Sequence, residues 1–231
     1  MNRCALFVLP LALFACTETV ESSDVRTSGI YPEFRVVADG SGNSEASARL
    51  KVGGNDSNTF LDLESEDRLE VTVAGETLRL EETGSHRYTA SFPVDAAGTE
   101  FSFAFLRGDD DDGAAHSVVT LPAPFELAMT STEASRATDV VGFSWTPADS
   151  GQMHWDLDGD CVWTEEGVTP DDGTHSLSLE DVRALGSAQT DSCSVLLTAM
   201  RSRSGSIDPA FTEGGENVAY QARAQLFTST P

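Results

Sequence analysis

"EFSFAFLRG", residues 100–108, sets Phe101, Phe103 and Phe105 at every second position. Successive side chains of a β-strand point to opposite faces, so three rings at that spacing share one face and plant themselves in a core. The stripe reads as packing rather than as a platform for a ligand. Outward from it, the chain continues as short alternating runs broken by Gly, Asp, Asn and Pro, the mark of antiparallel β structure. Predicted strands before and including this one are 33–38, 46–52, 60–63, 68–73, 77–80, 87–92, 100–106 and 117–121. "LPAPFEL", residues 121–127, carries two prolines and reads as a stiff join. A second series follows at 125–129, 140–146, 152–157, 175–179, 194–201 and 218–227. Units of roughly 90 and 110 residues fit immunoglobulin-like sandwiches. The fold class expected is therefore all-β, with two tandem antiparallel β-sandwich domains at 30–121 and 122–231. One helical candidate interrupts it: "SLEDVRALG", 178–186, with Ser178 as cap, Asp181 three residues on and Gly186 as stop.

The amino terminus has a different character. Met1-Asn2-Arg3 is a short positive leader, residues 4–15 are apolar, and Ala15 is small, which is the layout of a secretory signal. About a dozen apolar residues are too few to cross a bilayer, which needs roughly 20. Leu13-Phe14-Ala15-Cys16 resembles the lipobox of bacterial lipoprotein precursors, with Phe14 bulkier than usual at its position. The resemblance implies removal of residues 1–15, lipid on Cys16 as palmitate-type acyl chains, and an anchor made stable by more than one chain. It also implies the outer membrane, because Thr17 lacks the Asp that retains such proteins in the inner one. Residues 16–29 then comprise the lipidated cysteine and a tether, expected to be disordered because "TETVESSDVRTSG" lacks aromatics and periodicity.

Composition limits the partners. The chain holds 14 basic and 38 acidic residues, a formal charge of −24. Nucleic acid and anionic membrane surfaces would repel such a body, so neither is expected as a partner beyond the lipid itself. Once Cys16 is used by lipid, Cys161 and Cys193 remain as an even pair in an oxidising compartment, and a disulfide between them is expected. Chain entropy assigns such a bridge about 3.7 kcal/mol.

Three motifs bear on chemistry. "DLDGDCVWTEEG", 156–167, places Asp156, Asp158 and Asp160 at alternate positions, as in the opening of an EF-hand calcium loop. The pattern then departs: Cys161 stands at the turn glycine and Gly167 at the bidentate glutamate. The competing reading is a β-hairpin turned by Asp158-Gly159, between strands containing Trp155 and Trp163. "RGDDDDG", 107–113, contains an Arg-Gly-Asp tripeptide in what reads as an exposed acidic loop. No Gly-x-Ser-x-Gly elbow or His-Glu-x-x-His helix occurs, and His86, His116, His154 and His175 are dispersed, so no catalytic residue is assigned.

Beyond the leader, "SNTFLDL" with "DRLEVTVAG", "YTASFP" with "GTEFSFAFLRG" and "VTLPAPFEL", and "MRSRSGSIDPAF" with a closing "FTSTP" resemble a family of lipoproteins from myxobacteria and related bacteria. The resemblance implies an envelope location and a β-rich form, and supplies no site residues. The function expected is a lipid-anchored, non-enzymatic envelope module with a protein or glycan partner. The alternative is a calcium-dependent carbohydrate-binding or hydrolytic accessory built on the three aspartates.

Overall fold

The computed structural model describes residues 18–64, 66–108, 113–186 and 190–231. Ten strands come first: β1 Glu18–Glu21, β2 Ile30–Ala38, β3 Ser44–Val52, β4 Thr59–Asp62, β5 Arg68–Val73, β6 Glu76–Arg79, β7 Glu81–Gly84, β8 Arg87–Phe92, β9 Glu100–Leu106 and β10 Ala114–Thr120. Strands β10-β9-β5-β6 form one sheet and face a second that contains β1, β4, β3, β2 and β8. The phenylalanine stripe of β9 fills the space between them. Phe103 stacks on Phe34 of β2 at 4.6 Å, and Phe101 meets Phe92 of β8 edge-on at 5.6 Å. Leu69, Val71 and Val73 alternate inward from β5 in the same way.

Eight strands follow: β11 Glu126–Met129, β12 Glu133–Ser135, β13 Val141–Thr146, β14 Gln152–Gly159, β15 Glu165–Pro170, β16 Thr174–Leu177, β17 Cys193–Ser204 and β18 Glu216–Thr230. The sheet β11-β13-β16 packs on β18-β17-β14-β15 around Phe143, Trp145, Met153, Leu157, Leu197 and Phe227. The class is thus all-β with two immunoglobulin-like sandwich cores.

The cores are joined through a sheet. β17 and β18 make a long antiparallel hairpin, and the first residues of β18 pair in parallel with β2, from Glu216 opposite Glu33 to Gln221 opposite Ala38. A single sheet therefore runs β1-β4-β3-β2-β18-β17-β14-β15 through both sandwiches. The loop between β17 and β18 reaches into the first core, where Phe211 lies 6.2 Å from Phe34 and 6.4 Å from Phe105. Ala219 joins the same core. Gly205 makes this crossing possible, because a Cβ there would collide with the Val118 carbonyl.

Local departures from the sequence reading have physical causes. Residues 18–29 are folded against the first core: β1 pairs in parallel with β4, and Ser22 and Thr27 are buried. Arg107 donates to the Val25 and Ser22 carbonyls at 2.7 and 2.6 Å, and Ser22 Oγ accepts from the Glu64 amide. Polar contacts made by distant residues, not an apolar period, hold this stretch. The helical candidate at 178–186 is a turn. Asp181 does accept from the Ser178 amide and hydroxyl, but the chain then leaves to pair Ala184 with Val162. β7, β12 and β15 lack the apolar alternation that marks strands, β7 being exposed throughout and β15 ending on Pro170.

Candidate binding face on the continuous sheet

Both smaller sheets pack on one side of the continuous sheet. Val195, Leu197 and Ala199 of β17 and Ala219 of β18 alternate in phase toward the two cores. The residues between them point the other way, and among the described residues no layer covers that side. The face presents Arg49 and Ser47 from β3, Arg35 from β2, Tyr220 and Val218 from β18, Met200 and Ser202 from β17, and His154 and Asp156 from β14. Pairing places Arg35 opposite Ser47 and Val218, Tyr220 opposite Ser202, and His154 opposite Met200 and Val168.

Two depressions of ≈210 and ≈410 Å³ lie side by side on this face and share Arg35 and Tyr220 as their common wall. The Arg35 guanidinium sits 4.5 Å above the Tyr220 ring centre, and the His154 ring meets the same tyrosine edge-on at 6.4 Å. The smaller depression is lined by Arg35, Arg49, Arg87, Ser47, Glu33 and Glu216 among others. There Arg87 donates to Glu45 and Ser47 at 3.2 and 3.1 Å, and Lys51 pairs with Glu33 at 2.6 Å. The larger holds His154, Asp156, Glu166, Val168 and Met200. Burial raises the Asp156 carboxyl above its ordinary value, Asp158 and Glu166 add to that, and the Thr198 hydrogen bond and Arg35 offset part of it.

The sequence-derived site residues fall in several places. Cys161 and Cys193 form a disulfide, with Cα atoms 5.8 Å apart. Asp156 and Asp158 stand on the outer face of β14, with Asp160 in the turn beyond it. Among the described residues, no group of three or more His, Cys, Asp or Glu side chains is arranged to hold a metal ion. The β14–β15 hairpin is present, but Asp158 and Gly159 end the strand instead of turning it, because both remain paired with β17 at Leu196 and Val195. Trp163 lies in the connection, half exposed. Arg107 of the Arg-Gly-Asp tripeptide is committed to residues 22 and 25, and Asp109 lies outside the described residues, as does Cys16. Arg35, Arg49 and Tyr220 were not singled out by sequence. Their signal is the polar half of each strand's alternation, which identifies an outward face without identifying a site.

No protein-family profile matches the sequence, and neither does any curated protein. Among solved structures, a two fibronectin type-III domain segment from chicken tenascin aligns over 85% of this chain and 98% of its own, at 11% identity and a TM-score of 0.26. The central fibronectin-III array of RIM-binding protein aligns over 90% of this chain and 70% of its own, at 11% identity and TM-score 0.26. SGBP-B of the Bacteroides ovatus mixed-linkage glucan utilization locus, in complex with a mixed-linkage heptasaccharide, aligns over 94% and 68%, at 10% identity and TM-score 0.22.

Proposed function

We propose that the protein is a lipid-anchored, non-enzymatic binding module of the bacterial outer membrane, held at Cys16, that meets a protein or glycan partner through the outer face of its continuous sheet. One observation carries the reading. A single sheet passes through both cores, and its outer side is bare among the described residues and bears two adjoining depressions with a shared Arg35–Tyr220 wall. Extended faces backed by two packed cores suit recognition, because the contact groups are placed on strands and lose little freedom on binding.

Site-resolved photocrosslinking in intact cells tests it. A photoreactive residue at Val218 or Ser202 is expected to give a discrete adduct, whereas one at Thr77, on the far sheet, gives none. Absence of adducts from the sheet face, or equal adducts from Thr77, overturns the reading. The anchor is tested separately: labelled palmitate enters the native chain and not Cys16→Ser.

A further inference from the structure

We infer that the paired depressions bind an acidic oligosaccharide, with a sugar carboxylate held by Arg35 and Arg49. The inference rests on the outer face being the working surface, and it names the chemistry of the occupant.

Charge gives the first argument. In a chain of net charge −24, most acids lack a basic partner, yet no carboxylate lies within ion-pair distance of Arg35 or Arg49 among the described residues. Glu33 is taken by Lys51 and Glu45 by Arg87, which leaves Glu216 as the one other acid of the smaller depression. Two guanidinium groups that no carboxylate pairs, Arg35 reaching only the Met200 sulfur at 3.7 Å and the Tyr220 ring, make a local positive site beside Glu216, and such groups match planar oxyanions.

Unmet hydrogen bonding gives the second. Among the described residues, Arg49 Nε is a buried side-chain N–H donor without an acceptor, and Arg49 lines the smaller depression. A buried donor without an acceptor is costly, so Arg49 favours a ligand that brings an oxygen to it.

The larger depression favours saccharide over peptide. Asp156 and Glu166 accept hydrogen bonds from hydroxyls, while Val168, Met200 and Tyr220 offer apolar surface to the C–H face of a sugar ring. An acidic peptide such as tetraglutamate brings no hydroxyls for Asp156 and Glu166 to accept from and no ring C–H face for Val168, Met200 and Tyr220. Together the depressions reach the range of roughly 300–1,000 Å³ usual for ligand sites.

Titration calorimetry of the full chain in detergent tests the assignment with trigalacturonate, neutral galactotriose and tetraglutamate. Trigalacturonate is expected to bind, more weakly at high salt, with a loss of roughly tenfold or more in Arg49→Gln. Arg49→Lys, which keeps charge and loses the fork, should fall between, and Arg79→Gln on β6 should match the parent. Circular dichroism of each variant separates lost binding from lost fold. Equal affinity for galactotriose, equal affinity for tetraglutamate, or no binding of trigalacturonate overturns the inference. A crosslink from Val218 or Ser202 to a protein, with no uronate binding, removes this inference and leaves the binding module standing.

Discussion

Arg201 grips Asp171 at both carboxylate oxygens, Nε to Oδ2 at 2.5 Å and Nη2 to Oδ1 at 2.9 Å, with the two side chains 3% and 1% exposed. The same guanidinium donates to the Ala123 carbonyl of the proline join and to the Pro147 carbonyl, and the Trp145 indole N–H adds a third bond to Asp171. One residue in the last third of β17 thus fixes the join and the end of β13 together.

Removing the guanidinium leaves a buried carboxylate unpaired. Arg201→Met is expected to cost about 3–5 kcal/mol in urea unfolding, well above the effect of a surface arginine such as Arg79→Met.

Asp171 also sets a pH dependence. Burial alone would raise its carboxyl, but hydrogen bonds from Arg201 and Trp145, the Arg201 charge and the Asp149 amide outweigh burial and hold it below the ordinary value. A lowered native value means that this stabilisation is complete above the unfolded value, about 3.9, and is lost as pH falls through the native one. Acid unfolding curves of Asp171→Asn should lose that component. Asp156 works in the opposite sense. Its raised carboxyl favours the protonated fold, so its contribution is full below about pH 3.9 and disappears as pH rises through the native value. Asp156→Asn should raise Tm at pH 7 and leave it unchanged at pH 3.

The Cys161–Cys193 bridge closes the stretch that holds β15, β16 and the 178–186 turn. Cys161→Ala/Cys193→Ala is expected to lower stability by about 3–4 kcal/mol. Proteolysis of the double variant should begin within residues 160–192.

Arg107→Gln removes the two donors that hold residues 22 and 25. Bonds from a charged donor contribute about 1.5–3 kcal/mol each. Hydrogen exchange should accelerate first at residues 18–29, with the phenylalanine core still protected. The same commitment predicts that the Arg-Gly-Asp tripeptide supports no cell adhesion in a plate assay.

How much of this was legible follows from where each signal sits. The stripe Phe101, Phe103 and Phe105 and the run Arg68–Val73 report their faces directly, since period-two burial is written in adjacent residues. The pairing of Glu216 with Glu33 joins strands far apart in sequence, and no local pattern encodes a parallel neighbour. Ser22 and Thr27 look like loop residues because their burial depends on polar partners elsewhere, Arg107 and Glu64 for Ser22. Arg35, Arg49 and Tyr220 read as ordinary solvent positions. Only the assembled sheet puts them side by side.

The docking of β1 alters the mechanics of the proposed anchor. Residues 17–29 as a free stretch would be a leash, letting the body swing roughly 40 Å from a lipid on Cys16. With Glu18 already paired to Thr59, a single residue separates Cys16 from the first strand, about 7 Å of chain. Under the proposed acylation of Cys16, the first sandwich would serve as the footing of a short post and keep the body near the headgroups, where a free leash would let it swing.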